Sequence, residues 1–153
     1  DDMQYSAGGN AGAASTTAAT AGLIKLDNPA ASTMAAAKIY EWKVGPQANS
    51  ADENYGLRIK RQSTAGTWTA VTARPTDEKA GGAVTTAGIA STAAGTAGVE
   101  LDRVGFHMRG GYRWVAVPGG ELTVPLTFSA GILIEYVFAQ GTSVLGGNVM
   151  FNE

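Results

Sequence analysis

No cysteine occurs in the 153 residues. That excludes disulfides and thiolate metal sites, and it leaves the compartment unreadable from redox chemistry. Charge is scarce as well: Asp, Glu, Lys and Arg make up 16% of the chain, below the usual quarter, and they sum to a net charge of −2. A duplex-binding protein is normally clearly basic, so neither nucleic acid nor an anionic membrane is expected as a direct partner. The apolar runs are too short to span a bilayer. No Asn-X-Ser/Thr glycan acceptor is present, and near Asp1 no basic stretch precedes an apolar one, so no signal peptide is expected.

Small residues are what the chain has in abundance. Gly, at 21 residues, is roughly double its usual share, and Ala supplies much of the 44% apolar fraction. From Ser6 to Gly22 only Asn10 interrupts a tract of Ala, Gly, Ser and Thr; from Ala80 to Gly98 only Val84 and Ile89 do. Such tracts bury little apolar area against the entropy of ordering them. They are therefore expected to need a neighbouring surface. The length suits one domain with a single core.

Residues 1–37 read as an N-terminal arm whose one apolar cluster, Leu23-Ile24-Lys25-Leu26, is closed by the turn signal Asp27-Asn28-Pro29. Fully extended, it would reach on the order of 100 Å. Either it is a disordered tail, or it is a strap across a partner with Leu23, Ile24 and Leu26 as its anchor.

From Lys38 the pattern takes a period of two. Tyr40, Trp42 and Val44 share a face up to Gly45-Pro46, and Tyr55, Leu57 and Ile59 alternate with Arg58 and Lys60. Trp68–Ala73 makes a third strand. A long loop is expected over 75–98, with one weak strand near Ala83–Ile89. Val104, Phe106 and Met108 then alternate, and Gly110-Gly111 and Pro118-Gly119-Gly120 bracket Tyr112–Val117. Leu122, Val124, Leu126 and Phe128 form another strand, one that Pro125 marks as an edge or a bulge. Ile132–Phe138 is apolar on both faces except at Glu135, as a central strand would be. Val144–Phe151 ends the set, broken by Gly146-Gly147. Eight or nine short strands without a long helix predict an all-β, antiparallel sandwich over 38–153, with a jelly roll favoured.

Two stretches carry a resemblance. One is Leu57-Arg-Ile-Lys-Arg-Gln-Ser-Thr-Ala-Gly-Thr-Trp-Thr-Ala-Val-Thr-Ala-Arg-Pro-Thr-Asp77 with the small-residue tract after it; the other is Arg113-Trp-Val-Ala-Val-Pro-Gly-Gly-Glu121. Together they resemble small proteins of tailed bacteriophages, of the type that decorates or cements phage heads. The resemblance covers roughly Lys38 to Glu153 and leaves the Ala-rich arm outside it. It implies a structural virion protein on the outer capsid surface, bound to the major capsid protein lattice as a homotrimer.

Residues bearing chemistry are few. His107 lacks a Gly-X-Ser-X-Gly elbow and reads as a strand residue facing away from Phe106 and Met108. Placing His107, Asp102 and Glu100 around a metal would need loop geometry. No catalytic, cofactor or metal residue is therefore assigned, and no enzyme is expected. Gly8-Gly-Asn-Ala-Gly12 lacks the strand and lysine of a phosphate loop. Glu135 reads as outward-facing or salt-bridged, the alternative being a buried contact with an arginine across a subunit interface. Arg103, Arg109 and Arg113, with Tyr112 and Trp114, form a basic-aromatic group expected at a protein interface. A carbohydrate-binding or host-attachment module is the competing function, with Trp68, Tyr112 and Trp114 as its sugar platform.

Overall fold

The computed structural model describes residues 3–13, 21–28, 37–48, 54–64, 66–77, 81–93, 95–107, 110–124, 130–139 and 144–153. They form twelve strands and, among the described residues, no helix: β1 (Gln4–Ala13), β2 (Gly22–Asp27), β3 (Lys38–Ala48), β4 (Asn54–Thr64), β5 (Thr67–Val71), β6 (Arg74–Pro75), β7 (Thr86–Ala93), β8 (Thr96–His107), β9 (Tyr112–Val115), β10 (Leu122–Thr123), β11 (Gly131–Ala139) and β12 (Val144–Asn152). Two antiparallel sheets pack as a sandwich, as expected. In the first, β3, β12, β1 and β6 follow in order, and β9 and β10 both pair with the free side of β3; the second runs β5-β7-β2-β11-β4-β8.

The alternation read in sequence produces the inner faces. Leu57 and Ile59 on β4 and Ile132 and Ile134 on β11, with Ile59 directly opposite Ile134, share one core cluster with Trp42, Val149 and Phe151 of the first sheet. Fully burying side chains of this size is worth about 1.5–3 kcal/mol each. An aromatic series closes one side of the sandwich: Trp42 to Tyr112 at 5.1 Å between ring centroids, Tyr112 to Phe106 at 6.5 Å, Phe106 to Tyr55 at 6.1 Å. Those rings join β3 and β9 of one sheet to β8 and β4 of the other. Burial pushes the Tyr136 phenol, beside Tyr55, well above its ordinary value.

The arm is the main correction. Residues 4–13 and 22–27 are strands of the sandwich itself: β1 lies between β12 and β6, and β2 between β7 and β11. Leu23, Ile24 and Leu26 are each 1% exposed and belong to the core. They are not a partner-facing anchor. A register shift opposite Ile134 and Glu135 leaves Leu23 without a partner in the ladder, and its Cδ2 reaches toward Gly147 of the facing sheet. Apolar residues on both faces of a short segment read as a strap because the tract before it carries no apolar signal.

The 75–98 segment is likewise not a long loop. It holds part of β6, all of β7 and the start of β8. Ladder bonds to Lys25, Leu26 and Asp27 order β7, with Thr86 Oγ1 donating to Asp27 Oδ1 at 2.7 Å. Just ahead of it, the Glu153 carboxylate accepts from the backbone N–H of Val84 (2.6 Å) and Thr85 (3.0 Å) and from the Thr85 hydroxyl (2.8 Å). The Tyr5 hydroxyl donates to the Gly81 carbonyl. Larger residues cover the small ones: a Cβ at Gly22 would collide with the Trp68 indole, and one at Gly88 with the Trp68 Cβ and the Lys25 side chain. Glycine is needed there for close approach.

Other details differ locally. β3 continues through Gly45-Pro46 to Ala48, and its register shift opposite Met150 and Phe151 puts Ile39, rather than Tyr40, on the buried side with Trp42. The strand expected over Leu122–Phe128 is seen as Leu122–Thr123, with Val124 buried beyond it; Leu126 and Phe128 lie outside the described residues. The position of Met108 does too.

Candidate functional site

The outer face of the first sheet carries the most distinctive surface. Three glycine breaks that interrupt the strand pattern in sequence come into register on neighbouring strands. Gly8 faces Asn148, and Asn10 faces Gly146; on the other side of β12, Gly146 faces Gly45, and Asn148 faces Lys43. Lys43 in turn faces Arg113 on β9. Val44 is buried in the core and Lys43 is exposed, so the strand alternation puts Gly8, Asn148, Lys43 and Arg113 on the outer face together.

The result is an open trough of about 490 Å³, floored by the backbone of β1, β12 and β3 and edged by Asn10, Lys43 and Asn148. The volume lies within the range of small-molecule sites. Ser6 Oγ donates to Asn148 Oδ1 at 3.0 Å and so fixes the amide's orientation. Beside the trough, Arg113 Nε donates to Glu41 Oε1 at 2.8 Å. That hydrogen bond, with the guanidinium charge, holds the Glu41 carboxyl below its ordinary value.

The basic-aromatic group expected from sequence is not assembled. Strand alternation separates it. Arg113 points outward at 64% side-chain exposure, while Tyr112 and Trp114 face inward, half-buried, against Trp42 and its neighbours. Arg103 sits on β8 opposite Arg58, on the outer face of the second sheet, and pairs with Glu100 at 2.9 Å. Arg109 lies outside the described residues. The sugar platform fails for the same reason: Tyr112 and Trp114 face the interior of one sheet, and Trp68 covers the outside of the other.

Comparison with protein-family models, with curated proteins and with solved structures returned no match. Residue geometry alone therefore bears on the site.

Glu135 is salt-bridged within the chain. Its side chain, 9% exposed, binds the Arg58 guanidinium and the Lys60 ammonium, the latter at 3.1 Å. Both cations come from β4, the strand beside it. The pair next to this group, Lys25 to Asp27 at 3.0 Å, lies on β2. These charges, three cations on two carboxylates, are paired with one another across the outer face of the second sheet. Around His107, which is exposed at the end of β8, the described residues show no group of three metal-ligating side chains.

Sequence reasoning missed Asn10, Lys43, Gly45, Gly146 and Asn148. They are spread over three strands, β1, β3 and β12, near glycines that looked like punctuation. The one available signal was a glycine inside a strand pattern, which marks a bulge or a close approach.

Proposed function

We propose that this protein is a non-enzymatic structural subunit that decorates a bacteriophage head, binding the major capsid protein lattice from outside as a homotrimer. The likeness of residues 57–77 and 113–121 to phage-head decoration proteins supports the class of partner. The geometric support is the outer face of the first sheet. Gly8, Gly45 and Gly146 leave bare backbone across three adjacent strands, beside Ser6, Arg113 and the exposed Val115. A partner surface can approach such a face closely, and Arg113 with Val115 gives it a charged and an apolar contact at the rim.

The mechanism is mass action. A protein that binds only the assembled shell stabilises it by RT ln(1 + [L]/Kd), and a trimer that engages several lattice subunits at once adds avidity without new chemistry. The sandwich is already folded in its own right, so binding does not carry the ordering cost of a long disordered strap.

The test is to add the purified protein to undecorated heads of the phage that encodes it. Saturable binding, a trimer mass in sedimentation and a rise in the shell's disruption temperature are expected. A monomer that leaves the shell's disruption temperature unchanged at saturating concentration contradicts the proposal.

A further inference from the structure

Gly45 has no packing reason to be glycine. Nothing lies within 4 Å of a Cβ built there, and its backbone φ is not among the positive ones, which in the described glycines are Gly66, Gly111 and Gly119. A strand-interior glycine costs about 0.5–1 kcal/mol relative to alanine. Gly8 differs: a Cβ there would overlap the Gly147 carbonyl and Asn148, so close strand contact requires it. At Gly45 the missing side chain does one visible thing, which is to keep the trough open. Glycine at such a position marks a place where a ligand or another backbone comes close.

The chemistry at the edges narrows the ligand. Arg113 is committed to Glu41, which makes Lys43 the cation of the trough. Asn148 stands directly beside it on β12, its Oδ1 accepting from Ser6 Oγ, and Asn10 stands across the floor on β1; an amide carries both donors and an acceptor in one plane. No aromatic ring lines the trough among the described residues, so base stacking has no platform. The floor is bare backbone of three strands, open to solvent and more apolar than polar, against which one face of a flat ring can lie.

We propose that the trough binds an acidic saccharide, with the carboxylate on the Lys43 ammonium, ring hydroxyls on the amides of Asn10 and Asn148, and one ring face against the bare backbone of Gly45 and Gly146. The trough lies on the face that the proposed function gives to the lattice, so a saccharide and a lattice partner would compete for it; binding of the saccharide by the chain alone does not depend on that reading.

Calorimetric titration of the full chain tests the proposal, using oligogalacturonate and a sialylated oligosaccharide as probes and the carboxyl-reduced oligogalacturonate as the neutral control. At least one acidic probe binds, and the neutral control binds about tenfold more weakly or worse, as the loss of a charge-assisted contact requires. Lys43→Met lowers affinity for the acidic probe to the level of the neutral one. Gly45→Trp, at a position with room for a Cβ, abolishes binding at an unchanged Tm. If Gly45→Trp proves unfolded, Lys43→Met, at an exposed position, decides alone. The proposal is overturned if neither acidic probe binds at millimolar concentration, if the neutral control binds equally, or if the variants bind like the parent. An acidic peptide binding where both saccharides fail overturns it too.

Discussion

Replacing Leu23 with alanine is expected to destabilise the isolated protein by about 2–5 kcal/mol, the cost of emptying a packed leucine site. Leu23 is 1% exposed on β2 and reaches toward Gly147 across the sandwich. The neighbours that would have to collapse into the space are strands tied into both sheets, so relaxation is limited and the upper half of the range applies. Denaturant unfolding with an unchanged m-value reads the loss directly. A leucine that served as an anchor on a partner would behave like a surface residue of the lone chain, with a change within about 0.5 kcal/mol. The two roles differ several-fold in the same experiment.

Removing the carboxylate of Glu135 is the second large effect. Glu135→Ala leaves Lys60, with 13% of its side chain exposed, beside Arg58 without the anion that holds them. Breaking a buried pair from one side costs about 3–5 kcal/mol. Arg58 is 34% exposed and can turn to water, which puts the expected loss near the bottom of that range, about 3 kcal/mol. The double variant Glu135→Leu with Lys60→Met removes the carboxylate and the more buried of its two cations, and is expected to recover most of the stability. Thermal unfolding of the single and double variants makes the check. Equal losses in both would mean that packing, rather than the stranded cation, sets the cost.

Where alternation was carried by large side chains, the sequence was a good guide. Tyr55, Leu57 and Ile59 announced β4, and the two-sided apolar run of Ile132–Phe138 announced the central position of β11, with Glu135 as its charged exception. β1 was hidden, and β7 was read only as a weak strand near Ala83–Ile89, because alanine, glycine and threonine give no periodic signal. Their order comes from outside the tract, through β12, the Trp68 side chain and the Glu153 carboxylate. Weighing a tract's own apolar burial against its entropy therefore omitted the ladder partners that hold it. Alternation also decided the fate of the Tyr112–Trp114 group: three adjacent residues cannot face one partner when the middle one points the opposite way. The trough was illegible for a further reason. It depends on the registers of β1, β3 and β12, set by bulges and pairings between segments far apart in the chain.

Hydrogen exchange on the lone molecule in solution tests most directly whether the small-residue strands belong to its own sheets. Amides of Tyr5–Gly9, Leu23–Leu26 and Ala87–Ile89 are expected to exchange slowly, at rates approaching those of β4 and β11, with no partner present. Exchange of those three segments at the rate of an unstructured chain, while β4 and β11 stay protected, would contradict the account.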